Sequence, residues 1–448
     1  MIDKTVALEG QGENQGSIAL IGQGMLGPFM LVTTLFALWG FANDVTNPLV
    51  KAFKEIFLIS NTQSSLVQFA FYFGYFTMAL PAALFIRKYS YKTGILIGLG
   101  LYAAGALLAI PASLLMNFWI FILAFYILTF GLAFLETTAN PYILSMGPEE
   151  TATRRLNLAQ AFNPMGSLTG MMIASSYILA ELQVLKFENT EAVRAFAASD
   201  PSAHQAMQLA DLAIVRGPYI AISGVILFMM VVFVFSKMPD TGGHSEDGKF
   251  GDIIGRLTKN KNYYEGVIAQ AFYVGAQIMC WTYIIHYATE TLGLSAESGQ
   301  KHNIAAMILF LCSRFICTFL LGYIKPSQLL LSLAVGATGF TFGAIFLEGM
   351  VGLYSLVGIS ACMSLMFPTI YGIALDGLGD DAKLGSAGLV MAIVGGALMP
   401  VVMGALIDAG PIIDGMHPVK SSFFLPIVCF AVVALYAYRA KKRHLHEA

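Results

Sequence analysis

Apolar runs of about twenty residues recur along the whole chain, separated by short polar or Gly/Pro-marked turns. As helices rising 1.5 Å per residue, such runs cross roughly 30 Å of hydrocarbon. With Pro, Gly and charge as punctuation, the pattern predicts twelve spans: 27–49, 62–86, 93–113, 115–143, 155–180, 217–236, 263–289, 302–322, 327–346, 351–374, 384–408 and 420–438. The polar exceptions inside these runs carry the functional information. The stretch FILAFYILTFGLAFLETTANPYILSM (121–146) would dissolve in lipid but for Glu136. A carboxyl group at that depth is costly unless it is protonated, paired or lining a water-filled cavity, so it marks a transport path.

Composition narrows the class. Apolar residues make up 57% of the chain and charged residues 12%, against about 25% charged in soluble proteins, and the mean hydropathy is +0.71. The fold class that follows is an all-α membrane protein embedded in a lipid bilayer. A formal net charge of -2, with no basic or aromatic-rich soluble segment, argues against a nucleic-acid partner. Cys280, Cys312, Cys317, Cys362 and Cys429 lie in or near apolar spans without a metal-ligand grouping, so free thiols and no metal are expected. Neither a GxxxxGK[ST] phosphate loop nor an HExxH site is present, which leaves no basis for ATP drive, metalloprotease action or a cofactor. The first 25 residues lack the basic start and apolar core of a cleavable signal, so the first span is expected to direct its own insertion.

Basic residues set the orientation. Arg87, Lys88 and Lys92, Arg154 and Arg155, Lys237 to Lys261, Lys325, and Arg439 to Arg443 all fall on one side if the twelve spans alternate. That bias makes the side cytoplasmic and places both termini there. The expected organisation is a tail (1–26), a first six-helix bundle (27–236), a cytoplasmic linker (237–261), a second bundle (262–438) and a tail (439–448). The linker, beginning KMPDTGGHSEDGKFGD, reads as flexible, with His244 a solvated loop residue. On the other side, residues 181–216 predict a short surface helix after the Asp200–Pro201 break.

An internal echo supports two halves. ANPYILSMG (139–147) and FPTIYGIAL (367–375) end corresponding spans, and small-residue-rich spans follow, beginning RRLNLAQAFNPMGS (154–167) and KLGSAGLVMAIVGG (383–396). Parallel duplication of this kind fits the major-facilitator arrangement, in which two halves face each other across a central cavity.

Polar groups at helical spacing point toward that cavity. Asn43, Asp44 and Asn47 can share one side of the first span, next to Pro48. Glu136 and Asn140 repeat the four-residue interval, and apolar surroundings favour the protonated carboxyl, as a reversible proton carrier requires. Asn157, Gln160 and Asn163 form a row of amides that can both donate to and accept from sugar hydroxyls, or else act as interhelical glue. The Asn163–Pro164 pair predicts a bend. Tyr273, Gln277 and Trp281 set an amide between two rings, a surface for a hexose, with Tyr72 on the opposite wall beside Gln68, Phe71 and Tyr75. His286 is either a proton gate or an interfacial residue, and Arg314 an ion-paired gate or a packing element.

Taken with FYFGYF (71–76), RKYSYKTG (87–94), LETTANPY (135–142), RRLNLAQAFN (154–163) and AQAFYVGAQIMCW (269–281), these features are specific. From about residue 27 to 438 the chain resembles the fucose:proton symporter family of the major facilitator superfamily. The resemblance implies twelve transmembrane helices in two six-helix halves, working by alternating access. It implies proton-coupled uptake of a neutral monosaccharide across the bacterial inner membrane, and no enzymatic activity. On this reading Glu136 couples the proton, Gln160 contacts the sugar, and Asn43 matches a polar residue of the first span. One departure stands out: where the family places a cavity aspartate this chain has Asn47, and either Asp44, three residues earlier, takes over the carboxyl's task or the change signifies another sugar. Members carry fucose, galactose, glucose, mannose, fructose or N-acetylhexosamines, and these residues do not separate them. A sodium-coupled symporter and a non-transporting sugar receptor are the alternatives. One chain suffices to enclose the cavity, so a functional monomer is expected.

Overall fold

The computed structural model describes residues 19–46, 49–187, 190–239 and 250–446. Among them there is no strand, and twenty α-helices follow one another: α1 Leu26–Thr46, α2 Leu49–Phe57, α3 Asn61–Lys88, α4 Tyr91–Leu107, α5 Ala109–Leu114, α6 Phe118–Leu144, α7 Ala152–Gln160, α8 Asn163–Ile173, α9 Thr190–Ser199, α10 Pro201–Phe235, α11 Phe250–Lys259, α12 Lys261–His286, α13 Ala296–Leu320, α14 Pro326–Phe346, α15 Gly349–Met363, α16 Met366–Leu375, α17 Ala382–Met391, α18 Gly395–Ala409, α19 Pro418–Ser422 and α20 Phe424–His446. Eleven helical stretches among the described residues are long and apolar enough to cross a membrane.

The span expected at 155–180 is not one of the eleven, because it is divided into α7 and α8 at residues 161–162. Pro164 explains the division: with no N–H to give, it leaves the Gln160 carbonyl outside the helical ladder. Beyond the break, α8 lies directly on α1. A Cβ built at Gly166 would sit 1.8 Å from the Ala37 carbonyl oxygen, so only glycine permits this approach. The second half of the chain repeats the device, with a Cβ at Gly395 falling 2.1 Å from the Ala271 carbonyl oxygen where α18 meets α12. The echo read from the proline-bearing segments therefore extends to backbone contacts.

Packing follows the two halves of the sequence. In the first, α1 packs on α8, and α4 and α3 pack on α6; in the second, α12 packs on α18 and α20, and α14 on α15 and α20. Contacts between them run from α17 to α3 and α6, from α16 to α7, and from α13 to α7 and α8.

Three expectations are corrected. The first span ends at Thr46, and a short helix, α2, follows before α3. In 181–216 the short surface helix, α9, precedes Asp200, while everything from Pro201 belongs to one 35-residue helix, α10. Asp200 starts that helix by accepting the Ala203 N–H at 3.0 Å, and Pro201 sits where a missing donor costs nothing. Within 237–261, α11 is a regular helix rather than loose chain, and His244 lies outside the described residues.

Candidate functional site

A cavity of about 140 Å³ lies where the two halves of the chain meet. From α1 come Phe36, Trp39, Asn43 and Asp44; from α3, Tyr72 and Tyr75; from α6, Glu136. Gln160, Asn163 and Ser167 flank the α7–α8 break, and Gln277 and Trp281 on α12 face them with Phe310 and Arg314 on α13. Phe36, Trp39 and Asn43, then Gln160, Asn163 and Ser167, and the pairs on α3, α12 and α13 keep three- or four-residue spacing, which puts one stripe of each helix on the cavity.

The walls are held by hydrogen bonds behind them. Gln160 Nε2 donates to Asn140 Oδ1 at 2.9 Å, tying the break to α6. Asn163 Nδ2 reaches the Phe36 carbonyl at 3.2 Å, and the Trp281 indole donates to Ser360 Oγ at 3.2 Å. Phe36 and Trp39 stack with centroids 4.2 Å apart. Arg314 is 3% exposed. Its Nη1 donates to the Gln160 carbonyl at 3.2 Å, and its guanidinium lies 4.8 Å from the Phe310 ring centroid. Its Nε has no hydrogen-bond partner among the described residues. The carbonyl that Pro164 releases is thus received by a cation from the other half of the chain.

A vestibule of about 560 Å³ continues from this cavity through shared Asn43, Asp44, Tyr72 and Trp281. It is bounded by Gln68 near the start of α3, Gln300 and Asn303 near the start of α13, and Ile285 at the end of α12. These positions all lie toward the end opposite the basic turns. At the basic end the helices close instead. Asn157 Nδ2 donates to Thr369 Oγ1 at 3.1 Å, and Ser386 Oγ, whose hydroxyl is 2.7 Å from the Lys383 carbonyl of its own helix, also lies 3.2 Å from the Thr137 carbonyl. That carbonyl is four residues before Pro141, again one that a proline leaves free. A Cβ at Gly372 would stand 2.6 Å from Thr153 Oγ1, so α16 and α7 touch there.

The structure brings together Asn43, Asp44, Tyr72, Tyr75, Glu136, Gln160, Asn163, Gln277, Trp281 and Arg314 from the residues singled out in the sequence. It sets the rest elsewhere. Asn140 is fully buried one layer behind, as the partner of Gln160. Tyr273 is also fully buried, with its hydroxyl spent on the Met363 carbonyl at 3.0 Å, so it supports α12 against α15 and does not face the cavity. His286 is exposed at the end of α12, its ring 5.2 Å from that of Tyr283. Arg314 has no salt bridge among the described residues: its contacts are a carbonyl and a ring. Asn47 and Pro48 lie outside the described residues.

Sequence reasoning missed Trp39, Phe36, Phe310 and the amides Gln300 and Asn303. A signal existed. Gln300, Asn303, Met307, Phe310 and Arg314 alternate at intervals of three and four, and all five line the cavity or the vestibule.

The sequence profile of the Major Facilitator Superfamily matches residues 30–394. The L-fucose-proton symporter of Haemophilus influenzae is 52% identical over 93% of this chain and 96% of that protein. The L-fucose-proton symporter of Escherichia coli is 35% identical, covering 92% of each. Among solved structures, the transporter FucP in its outward conformation superposes with a TM-score of 0.83 at 34% identity, covering 93% of this chain and 99% of that one.

Proposed function

The chain belongs to the fucose:proton symporter family of the Major Facilitator Superfamily, and on that premise we propose that it imports a neutral monosaccharide, L-fucose before other sugars, together with a proton. The observation that carries the reading is the position of Glu136. It is a carboxyl on the cavity wall of α6, a helix with no other charged residue, which packs against α3 and α17.

The rest of the cavity suits the cargo. A space of about 140 Å³ holds one sugar ring. Trp39, Tyr72 and Trp281 offer faces for its C–H side, while Asn43, Gln160, Asn163 and Gln277 offer amides that donate and accept. Asp44, on the same wall as Asn43, takes the carboxyl role that the family gives to the position of Asn47. Counting the broken α7–α8 segment as a span gives twelve, six before the α11 connection and six after it, and a single chain encloses the site. The basic end faces the cytoplasm with both termini, so the vestibule opens outward and the Asn157–Thr369 end is the closed gate.

In the cycle, Glu136 is protonated from the outer side, sugar enters through the vestibule, and the halves rock to expose both inward. The inward movement of one charge gains about 2.3 kcal/mol per 100 mV, which supports roughly 50-fold accumulation. Proteoliposomes test the reading: L-fucose addition should alkalinise the outer medium, with other hexoses, 6-deoxyhexoses and N-acetylhexosamines ranked alongside. Uptake that follows a sodium gradient at constant pH, or sugar binding with neither counterflow nor proton movement, would overturn it.

A further inference from the structure

The basic ends of α12 and α20 meet in a surface cleft of about 420 Å³, well away from the sugar path. Lys261, Arg439, Lys442 and Arg443 line it together with Tyr264 and Glu265. Glu265 accepts from Arg439 Nη1 at 2.9 Å and from Arg443 Nη1 at 3.0 Å. Four cations therefore face one acid. Lys261 and Lys442 have no acid partner among the described residues, and the Lys442 ammonium rests 4.9 Å from the Tyr438 ring centroid.

The surface that continues from the cleft is apolar. Tyr264 and Ile268 on α12, with Val428 and Leu435 on α20, are exposed along the same sides of the helices that carry the charges. Both helices belong to stretches fit to cross a membrane, so this stripe runs from the interface into hydrocarbon. An uncompensated cluster of ammonium and guanidinium groups above an apolar stripe matches one kind of molecule: a phosphodiester anion with an acyl chain attached. Topology alone requires positive charge at this end of the spans. It does not require that charges from two distant segments converge on one cleft above exposed aliphatic side chains.

We propose that this cleft binds the phosphodiester head group of an anionic phospholipid of the phosphatidylglycerol type. Lys261 and Lys442 supply the uncommitted charge, the Glu265-held arginines fix the rim, and one acyl chain lies along Ile268 and Leu435.

The test uses the full chain purified in neutral detergent, with retained lipid read by native mass spectrometry and by thermal shift. The probes are dioleoyl phosphatidylglycerol, dioleoyl phosphatidylcholine and the soluble head group glycerophosphoglycerol. The anionic lipid should bind saturably and raise the melting temperature, while the other two should not. Replacing Lys261 and Lys442 together by Ala should weaken it by roughly 30-fold, whereas replacing Lys186 and Lys301, which line no part of the cleft, should leave it unchanged. Equal retention of both lipids, undiminished affinity in the Lys261/Lys442 variant, or an equal shift from the soluble head group would each overturn the proposal. If the double variant does not fold, a salt titration of the unaltered chain decides instead, since retention indifferent to ionic strength excludes a charge-built site.

Discussion

Arg314 Nη1 lies 3.2 Å from the carbonyl oxygen of Gln160, an oxygen available only because Pro164 lacks the N–H that would otherwise claim it. This bond joins α13 to the α7–α8 break across the cavity. A hydrogen bond from a charged donor contributes about 1.5–3 kcal/mol. Replacing Arg314 by Met should therefore shift the balance of access states by roughly tenfold or more. Pro164→Ala should move it the same way and less far, by returning the Gln160 carbonyl to the helix. The labelling rate of a cysteine placed at Asn303, in a background without Cys312, reads both changes, and equal rates in all variants would contradict the assignment.

Glu136→Gln keeps the shape of the cavity wall and removes the titrating group. Acid-driven accumulation in proteoliposomes should fall to equilibration, while sugar counterflow persists. Undiminished accumulation under a pH gradient would rule out the carboxyl as the proton carrier.

Gly372 is where α16 approaches Thr153 on α7 at the closed end, so close that a methyl group added to it would stand only 2.6 Å from Thr153 Oγ1. Overpacking costs about 1–3 kcal/mol in a packed contact, and here it falls on one access state alone. Gly372→Val should open the basic end, slowing labelling from the vestibule by roughly fivefold or more. Thr153→Gly in the same chain should restore the rate in part.

Of the groups outside the spans, Asp200 gives a pH prediction. The Ala203 N–H, then the Ser202 hydroxyl, hold its carboxyl below the usual carboxylate range. A lowered folded value means the cap stabilises the first turn of α10 fully above the ordinary value of about 3.9, and the contribution is lost as pH falls through the lowered value. The protection factors across 201–207, taken against the intrinsic exchange rate at each pH, should hold at pH 5 and fall only as pH drops below the ordinary carboxylate value of about 3.9. Asp200→Ala should show the faster exchange at every pH.

The spans were legible because lipid demands long apolar runs, and residues such as Asn43, Gln160 and Gln277 share one cavity because helical spacing already fixed which side they take. Helix bounds within polar surroundings were less so. Asp200–Pro201 reads equally as a break or as a start, and only the cap geometry shows that α10 runs on from there. Tyr273 was misplaced for a related reason. It shares the four-residue interval of Gln277 and Trp281, yet it is fully buried with its hydroxyl on the Met363 carbonyl. The aromatic walls went unread because Phe36 and Trp39 look like ordinary lipid-soluble residues until Asn43 fixes the side they share.

The two carbonyls released by Pro141 and Pro164 give the molecule a way to come apart without damage. Arg314, and Ser386 through a hydroxyl it shares with the Lys383 carbonyl, face oxygens that no turn of α6 or α7 relies on, so when the facing helices withdraw, incoming water can take both places. Every coil stays wound, and what separates is surface from surface. An imino acid that usually weakens a helix here confines the rupture to the seam, where it can be made and unmade on each journey of the cargo.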